Sequence, residues 1–146
     1  MIGEILTILL VEDNDDHAEL VNRTFEEHRV ANKLIRLSDG EQALSYLFRK
    51  DPSLNTVENP LPNLILLDLR LPKVDGMEVL RQVKSSQKLK EIPVVILTSS
   101  ESEKDIARAY DSYVNSYLVK PLDFEQFTKM MDALGYYWLA WNRLPF

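Results

Sequence analysis

Hydrophobic positions along this chain gather into four compact runs: ILTILLV at 5–11, LILLDL at 64–69, PVVILT at 93–98 and YVNSYLV at 113–119. A weaker fifth, NKLIRL, lies at 32–37. The first three are nearly continuous rather than alternating, which is the pattern of strands covered on both faces. They predict a parallel sheet held between helices. Between the runs the apolar period becomes helical. Residues 15–28 set Leu20, Val21, Thr24 and Phe25 on one face, residues 40–50 do so with Ala43, Leu44, Leu47 and Phe48, and residues 75–86 with Met77, Val79, Leu80 and Val83. SESEKDIARAYD, from Ser100, opens with a serine and an early Glu in the manner of a capping box. A last helix follows KPLD, with Phe124, Phe127, Met130, Met131 and Leu134 in helical register. Five βα units in one small chain call for right-handed crossovers and a doubly wound sheet.

Ligands of such sheets bind beyond the carboxyl ends of the strands, so the residues at those ends carry the chemistry. The first run ends in Glu12 and Asp13, the LILLDL run in Asp68, the PVVILT run in Thr98 and Ser99, and the YLV run in Lys120 followed by Pro121. Three carboxylates, a hydroxyl and an ammonium are thus predicted to meet at one rim, although the first and last stand more than 100 residues apart. The acidic stretch EDNDD divides here. Asp15 and Asp16 belong to the first turn of the following helix, where the helix dipole favours negative charge. Glu12 and Asp13 end a buried strand and need a positive partner.

Hard oxygen donors without histidine or cysteine suit Mg²⁺ or a similar ion. A strand-end carboxylate beside such a cation, here Asp68, can act as a nucleophile. A phosphoryl group arriving there carries charge on three oxygens, to be met by the metal, the Lys120 ammonium and the Thr98 hydroxyl. The constellation predicts a phosphoacceptor site.

Composition narrows the setting. The chain has 146 residues, 45% hydrophobic and 27% charged, with no repeat or low-complexity tract, which fits one domain spanning 1–146. A net charge of −6 argues against nucleic acid as a partner. Cysteine is absent, which removes disulfides, thiolate metal sites and cysteine nucleophiles and points to a reducing compartment. The apolar start MIGEILTILL has no basic flank or small-residue cleavage site, and no run approaches the roughly 18 apolar residues that span a membrane. The expectation is a cytoplasmic protein without a membrane partner.

VEDN, LLDLRLPKVDG, ILTSS and YLVKP stand in the order and approximate spacing of the receiver domains of two-component response regulators, and over about residues 5–130 the chain resembles that family. The resemblance implies a flavodoxin-like (βα)₅ fold with sheet order 2-1-3-4-5. It implies that Asp68 takes a phosphoryl group from the phosphohistidine of a sensor histidine kinase. Glu12, Asp13, Asp68 and the backbone carbonyl of Arg70 would hold Mg²⁺ or Mn²⁺, and Lys120 and Thr98 would contact the phosphoryl oxygens. Tyr117 matches the family's switch aromatic, Lys120–Pro121 its cis peptide, and Arg70 and Ser100 flank the route of hydrolytic water and tune its rate. The product is slow self-dephosphorylation rather than dedicated catalysis.

The proline-rich stretch RKDPSLNTVENPLPN and the C-terminal YYWLAWNRLP resemble the stand-alone regulators that partner cyanobacterial phytochromes. Output is then a conformational switch through protein contacts, with no effector domain expected. Seven of the 13 aromatic residues fall between Phe124 and Phe146, and Phe127, Met131, Leu134, Trp138 and Trp141 continue one helical stripe. The first half of this helix should pack on its own sheet, and beyond about Leu134, within an aromatic extension of about 131–146, a five-unit domain should run out of sheet, so a homodimer or partner surface is expected on the stripe of Phe127, Met131, Trp138 and Trp141. His17 and His28 lack ligand spacing and read as surface helix residues. Two other classes compete: an aspartate-nucleophile Mg²⁺-dependent phosphatase of the haloacid dehalogenase type, and a flavodoxin-like binding protein. The first requires a second Asp two residues after the nucleophile, where this chain has Arg70; the second requires a phosphate loop after the first strand, where this chain is acidic.

Overall fold

The structure, a computed structural model, describes residues 7–27, 33–50, 60–99, 102–114, 116–121 and 123–141, without the side chains of 103, 104, 107, 116, 124 and 134–141. Five strands, β1 (Thr7–Val11), β2 (Lys33–Leu37), β3 (Leu64–Leu67), β4 (Val94–Thr98) and β5 (Ser116–Val119), form one parallel sheet ordered β2-β1-β3-β4-β5. Five helices alternate with them: α1 (Asp15–Glu27), α2 (Gly40–Leu47), α3 (Gly76–Ser85), α4 (Glu103–Asp111) and α5 (Phe124–Trp141). The expected fold class and strand order are those observed.

The continuous apolar runs have the predicted cause. Alternate residues of each central strand enter opposite cores, so that Leu9, Val11, Ile65, Leu67, Val94 and Ile96 pack with α2 and α3, and Ile8, Leu10, Leu64, Leu66, Val95 and Leu97 with α1 and α5. β2 and β5 are edges, and their described side chains are only partly buried, which explains why β2 wrote the weakest run.

Two helix starts follow from local chemistry. Asn14 Oδ1 accepts the His17 N–H at 3.0 Å at the head of α1, where Asp15 and Asp16 lie in the first turn as expected. Asp75 caps α3 by accepting the Met77 N–H at 2.7 Å. α4 differs from its expected start: its cap is Ser102, whose Oγ accepts the Asp105 N–H at 3.4 Å, two residues beyond Ser100. β5 is also shorter than the run at 113–119. Tyr113 takes a left-handed φ of 65° and closes the end of α4, with the Val114 N–H returning to the Ala109 carbonyl at 3.2 Å.

α5 carries the clearest correction. Phe127 and Met131, expected on a dimer surface, are 1% and 0% exposed and lie in the core against α1 and the sheet. Their half of the apolar stripe is consumed by the chain's own fold. Residues 134–141 continue the helix, and the side chains of Trp138 and Trp141 lie outside those described. No helix among the described residues is long and apolar enough to cross a membrane.

Candidate functional site

Parallel pairing delivers the predicted residues to one edge. The Asp68 N–H donates to the Val11 carbonyl at 3.1 Å and the Lys120 N–H to the Thr98 carbonyl at 2.7 Å, so the ends of β1, β3, β4 and β5 stand side by side. Gly76 lets α3 close on this rim. Its N–H donates to the Leu69 carbonyl at 2.9 Å, and a Cβ built there would overlap the Asp68 carbonyl oxygen.

At the centre lies the Lys120 ammonium. It donates to Glu12 Oε1 at 2.5 Å and to Asp68 Oδ2 at 3.0 Å, and these three side chains are 3%, 1% and 8% exposed. Buried charges of this kind persist only when paired and hydrogen-bonded. Glu12 Oε2 accepts the Asn14 N–H at 3.2 Å, and Asp68 Oδ1 accepts the Arg70 N–H at 3.2 Å. Burial pushes the Glu12 carboxyl up to about 7, with the Lys120 ammonium pulling the other way and Asp68 adding to the rise.

Glu12, Asp13 and Asp68 together offer a set of oxygen donors for a cation. Carboxylate oxygens of Glu12, Asp13 and Asp68 lie within 4.8 Å of one another, with Asp13 open to solvent and the other two buried. With all three ionised, three carboxylates against one ammonium leave two negative charges unbalanced, and all the donors are hard oxygens. A divalent cation fits that donor set. Arg36 braces the acids from β2: its Nε donates to the Glu12 carbonyl at 2.8 Å and its Nη1 pairs with Asp15 at 2.9 Å.

The remaining expected residues are placed as follows. Thr98 is fully buried at the end of β4, and Tyr117 on β5 is half-buried against the core on the α2 and α3 side of the sheet. The Arg70 side chain extends over the rim to Asp105 of α4, 2.6 Å from Nη2 to Oδ2. Ser100 and His28 lie outside the described residues. The Lys120–Pro121 peptide is trans rather than cis, no cis bond being present among the described residues; an X–Pro bond differs by only about 0.5–1 kcal/mol between isomers, so the motif alone does not fix it.

One residue escaped the sequence reading. His17, expected on the surface, turns its ring inward: Nδ1 lies 3.1 Å from Lys120 Nζ, and the ring meets Phe127 edge-on at 5.0 Å. Burial, then the nearby ammonium, holds its imidazole below the usual histidine range. The available signal was helical. His17 is four residues after Asp13 and shares a face with Leu20, Val21 and Thr24, all buried.

Comparison with known proteins agrees with this geometry. Residues 8–132 match the response regulator receiver domain. The probable methanogenesis regulatory protein FilR2 of Methanothrix harundinacea is 50% identical over 94% of this chain and 86% of its own length. Response regulator Rcp1 of Synechocystis is 41% identical over 94% of this chain and 92% of its own. Its Mn²⁺-bound crystal structure superposes with a TM-score of 0.88 at 40% identity, covering 97% of this chain and 99% of that one. The phosphorylated cyanobacterial phytochrome response regulator RcpA superposes equally well, at a TM-score of 0.88 and 37% identity over 98% and 100% of the two chains. With the strand-end acids and the buried lysine in the same frame, the chain belongs to the response regulator receiver domain family.

Proposed function

We propose that this protein is a stand-alone response regulator that accepts a phosphoryl group on Asp68 from the phosphohistidine of a sensor kinase, of a phytochrome-like kind, RcpA being a phytochrome response regulator. The observation that carries the reading is Asp68 itself, a buried strand-end carboxylate that shares its rim with Glu12 and Asp13 and accepts from Lys120 at 3.0 Å. Glu12, Asp13, Asp68 and the Arg70 carbonyl would hold Mg²⁺, which when bound neutralises the acids and the phosphoryl oxygens.

In the transfer, a carboxylate oxygen of Asp68 forms a bond to phosphorus while the P–N bond of the phosphohistidine breaks, its electron pair passing to the ring nitrogen, which takes a proton from solvent. Lys120 exchanges its contact with Asp68 Oδ2 for one with a phosphoryl oxygen. The Thr98 hydroxyl, at the adjacent strand end, supplies a further donor, and Tyr117 on the neighbouring strand repacks in response. Arg70, and Ser100 by its place in the sequence, would tune the rate of hydrolysis by water. Self-association through the distal part of α5, where Trp138 and Trp141 lie, belongs to the same proposal; sedimentation as a monomer at micromolar concentration, with and without phosphorylation, contradicts that part alone.

The direct test is incubation with Mg²⁺ and acetyl phosphate or phosphoramidate, followed by intact mass. Wild type gains one phosphoryl group and Asp68→Asn gains none. A wild type that gains nothing, or an Asp68→Asn variant that gains as much, overturns the assignment.

A further inference from the structure

Lys120 has three N–H donors and no acceptor. Two of them reach Glu12 Oε1 at 2.5 Å and Asp68 Oδ2 at 3.0 Å; the third partner is His17 Nδ1 at 3.1 Å. Because an ammonium can only donate, Nδ1 in this contact presents its lone pair and the ring proton resides on Nε2. The three acceptors come from three separate elements, the ends of β1 and β3 and the first turn of α1.

Phosphorylation of Asp68 disturbs one of these contacts. The donor that faces Asp68 Oδ2 must turn to a phosphoryl oxygen, while Glu12 and His17 remain where they are. Two fixed acceptors hold the ammonium on a defined pivot. With Glu12 alone, the flexible four-carbon stem would leave the third donor without a protein partner and the direction of the second undefined. His17 is itself held: its ring is edge-on to Phe127, with ring planes at 66°, and Phe127 is 1% exposed on α5. The groups that act electrostatically on it are Lys120 and Asp68 across the rim and Asp13 and Asp16 on its own side.

We propose that His17 is a positioning residue for phosphoryl acceptance, its Nδ1 lone pair orienting the Lys120 ammonium and its ring tying that orientation to Phe127 of α5. The proposal rests on the phosphoacceptor reading of Asp68. It also gives α5 a route to the acceptor site, since a shift of Phe127 moves the ring that holds Lys120.

Phosphorylation by phosphoramidate with Mg²⁺ compares the full chain with His17→Phe, which keeps a ring against Phe127, and His17→Asn, whose Oδ1 is as many bonds from Cα as the histidine Nδ1. At saturating donor His17→Phe is slowed by about tenfold, as expected for loss of one charge-assisted contact, while Mg²⁺ affinity read by isothermal titration calorimetry stays within about twofold. His17→Asn recovers to within about threefold of wild type. A His17→Phe rate equal to wild type, or a His17→Asn rate as low as His17→Phe, overturns the role while leaving Asp68 as acceptor. No phosphoryl gain by wild type overturns the underlying reading. Nitrogen NMR of the wild-type ring is independent of how the variants fold: a proton on Nε2 with Nδ1 unprotonated supports the contact, and a proton on Nδ1 overturns it.

Discussion

The Nζ of Lys120 lies 3.0 Å from Oδ2 of Asp68, joining two strand ends 52 residues apart through side chains that are both buried. Neither charge could remain there alone. Lys120→Met therefore leaves Glu12 and Asp68 buried without a counter-ion, and the expected loss at pH 8 without added metal is about 3–5 kcal/mol. Glu12 sets the pH dependence. Its carboxyl is raised from 4.5 to about 7 in the fold, so its contribution to stability is full below 4.5 and is lost as pH rises through about 7. Removing the lysine raises it further, and the deficit of the variant is larger at pH 8 than at pH 5. Denaturant titrations at the two pH values check this; equal deficits would contradict it.

Gly76 supplies a prediction about position rather than charge. A methyl group there meets the Asp68 carbonyl and the Leu69 backbone, and neither can yield without moving the acceptor strand end. Gly76→Ala is expected to lose about 1–3 kcal/mol and to slow phosphorylation by phosphoramidate at the same time. An unchanged unfolding midpoint would mean that α3 does not sit against Asp68.

β1, β3 and β4 announced themselves because both their faces are buried, and parallel topology then forces Glu12, Asp68, Thr98 and Lys120 together whatever their separation. His17 was missed because its partner is 103 residues away and a lone helical histidine carries no spacing rule. Phe127 and Met131 were misassigned to an outer surface because a helical stripe shows which face is apolar, not where along the helix its cover ends. The α4 start was displaced because Ser100 and Ser102 are equally good caps by composition, and only the Asp105 N–H distinguishes them.

Arg70 and Asp105 bridge the acceptor loop to α4 at 2.6 Å, with the guanidinium 62% exposed and the carboxylate 12% exposed. Solvent on the arginine side limits the pair. A double-mutant cycle with Arg70→Ala and Asp105→Ala is expected to give a coupling of about 0.5–1 kcal/mol. Its functional consequence is larger in kind than in energy, since the contact joins the residue two positions after Asp68 to a helix flanking the switch. The lifetime of the phosphorylated state, followed by intact mass, should change in Asp105→Ala. Strict additivity of the single variants together with an unchanged lifetime would show that the pair couples nothing.

Met131 decides between a core and a surface role for the middle of α5. It is 0% exposed and packs, with Phe127, against the residues of α1 and the sheet. A surface position in a dimer would leave monomer stability nearly unchanged on truncation; a core position leaves a cavity. Met131→Ala is expected to lose about 2–5 kcal/mol in denaturant unfolding, and Phe127→Ala about 3–5 kcal/mol. Met131→Leu, which conserves volume, should lose less than about 1.5 kcal/mol and sediment as wild type does. Were Met131→Ala to unfold at the wild-type midpoint while its sedimentation coefficient fell, the residue would belong to an interface between copies, and the packing of α5 on the sheet would have to be redrawn.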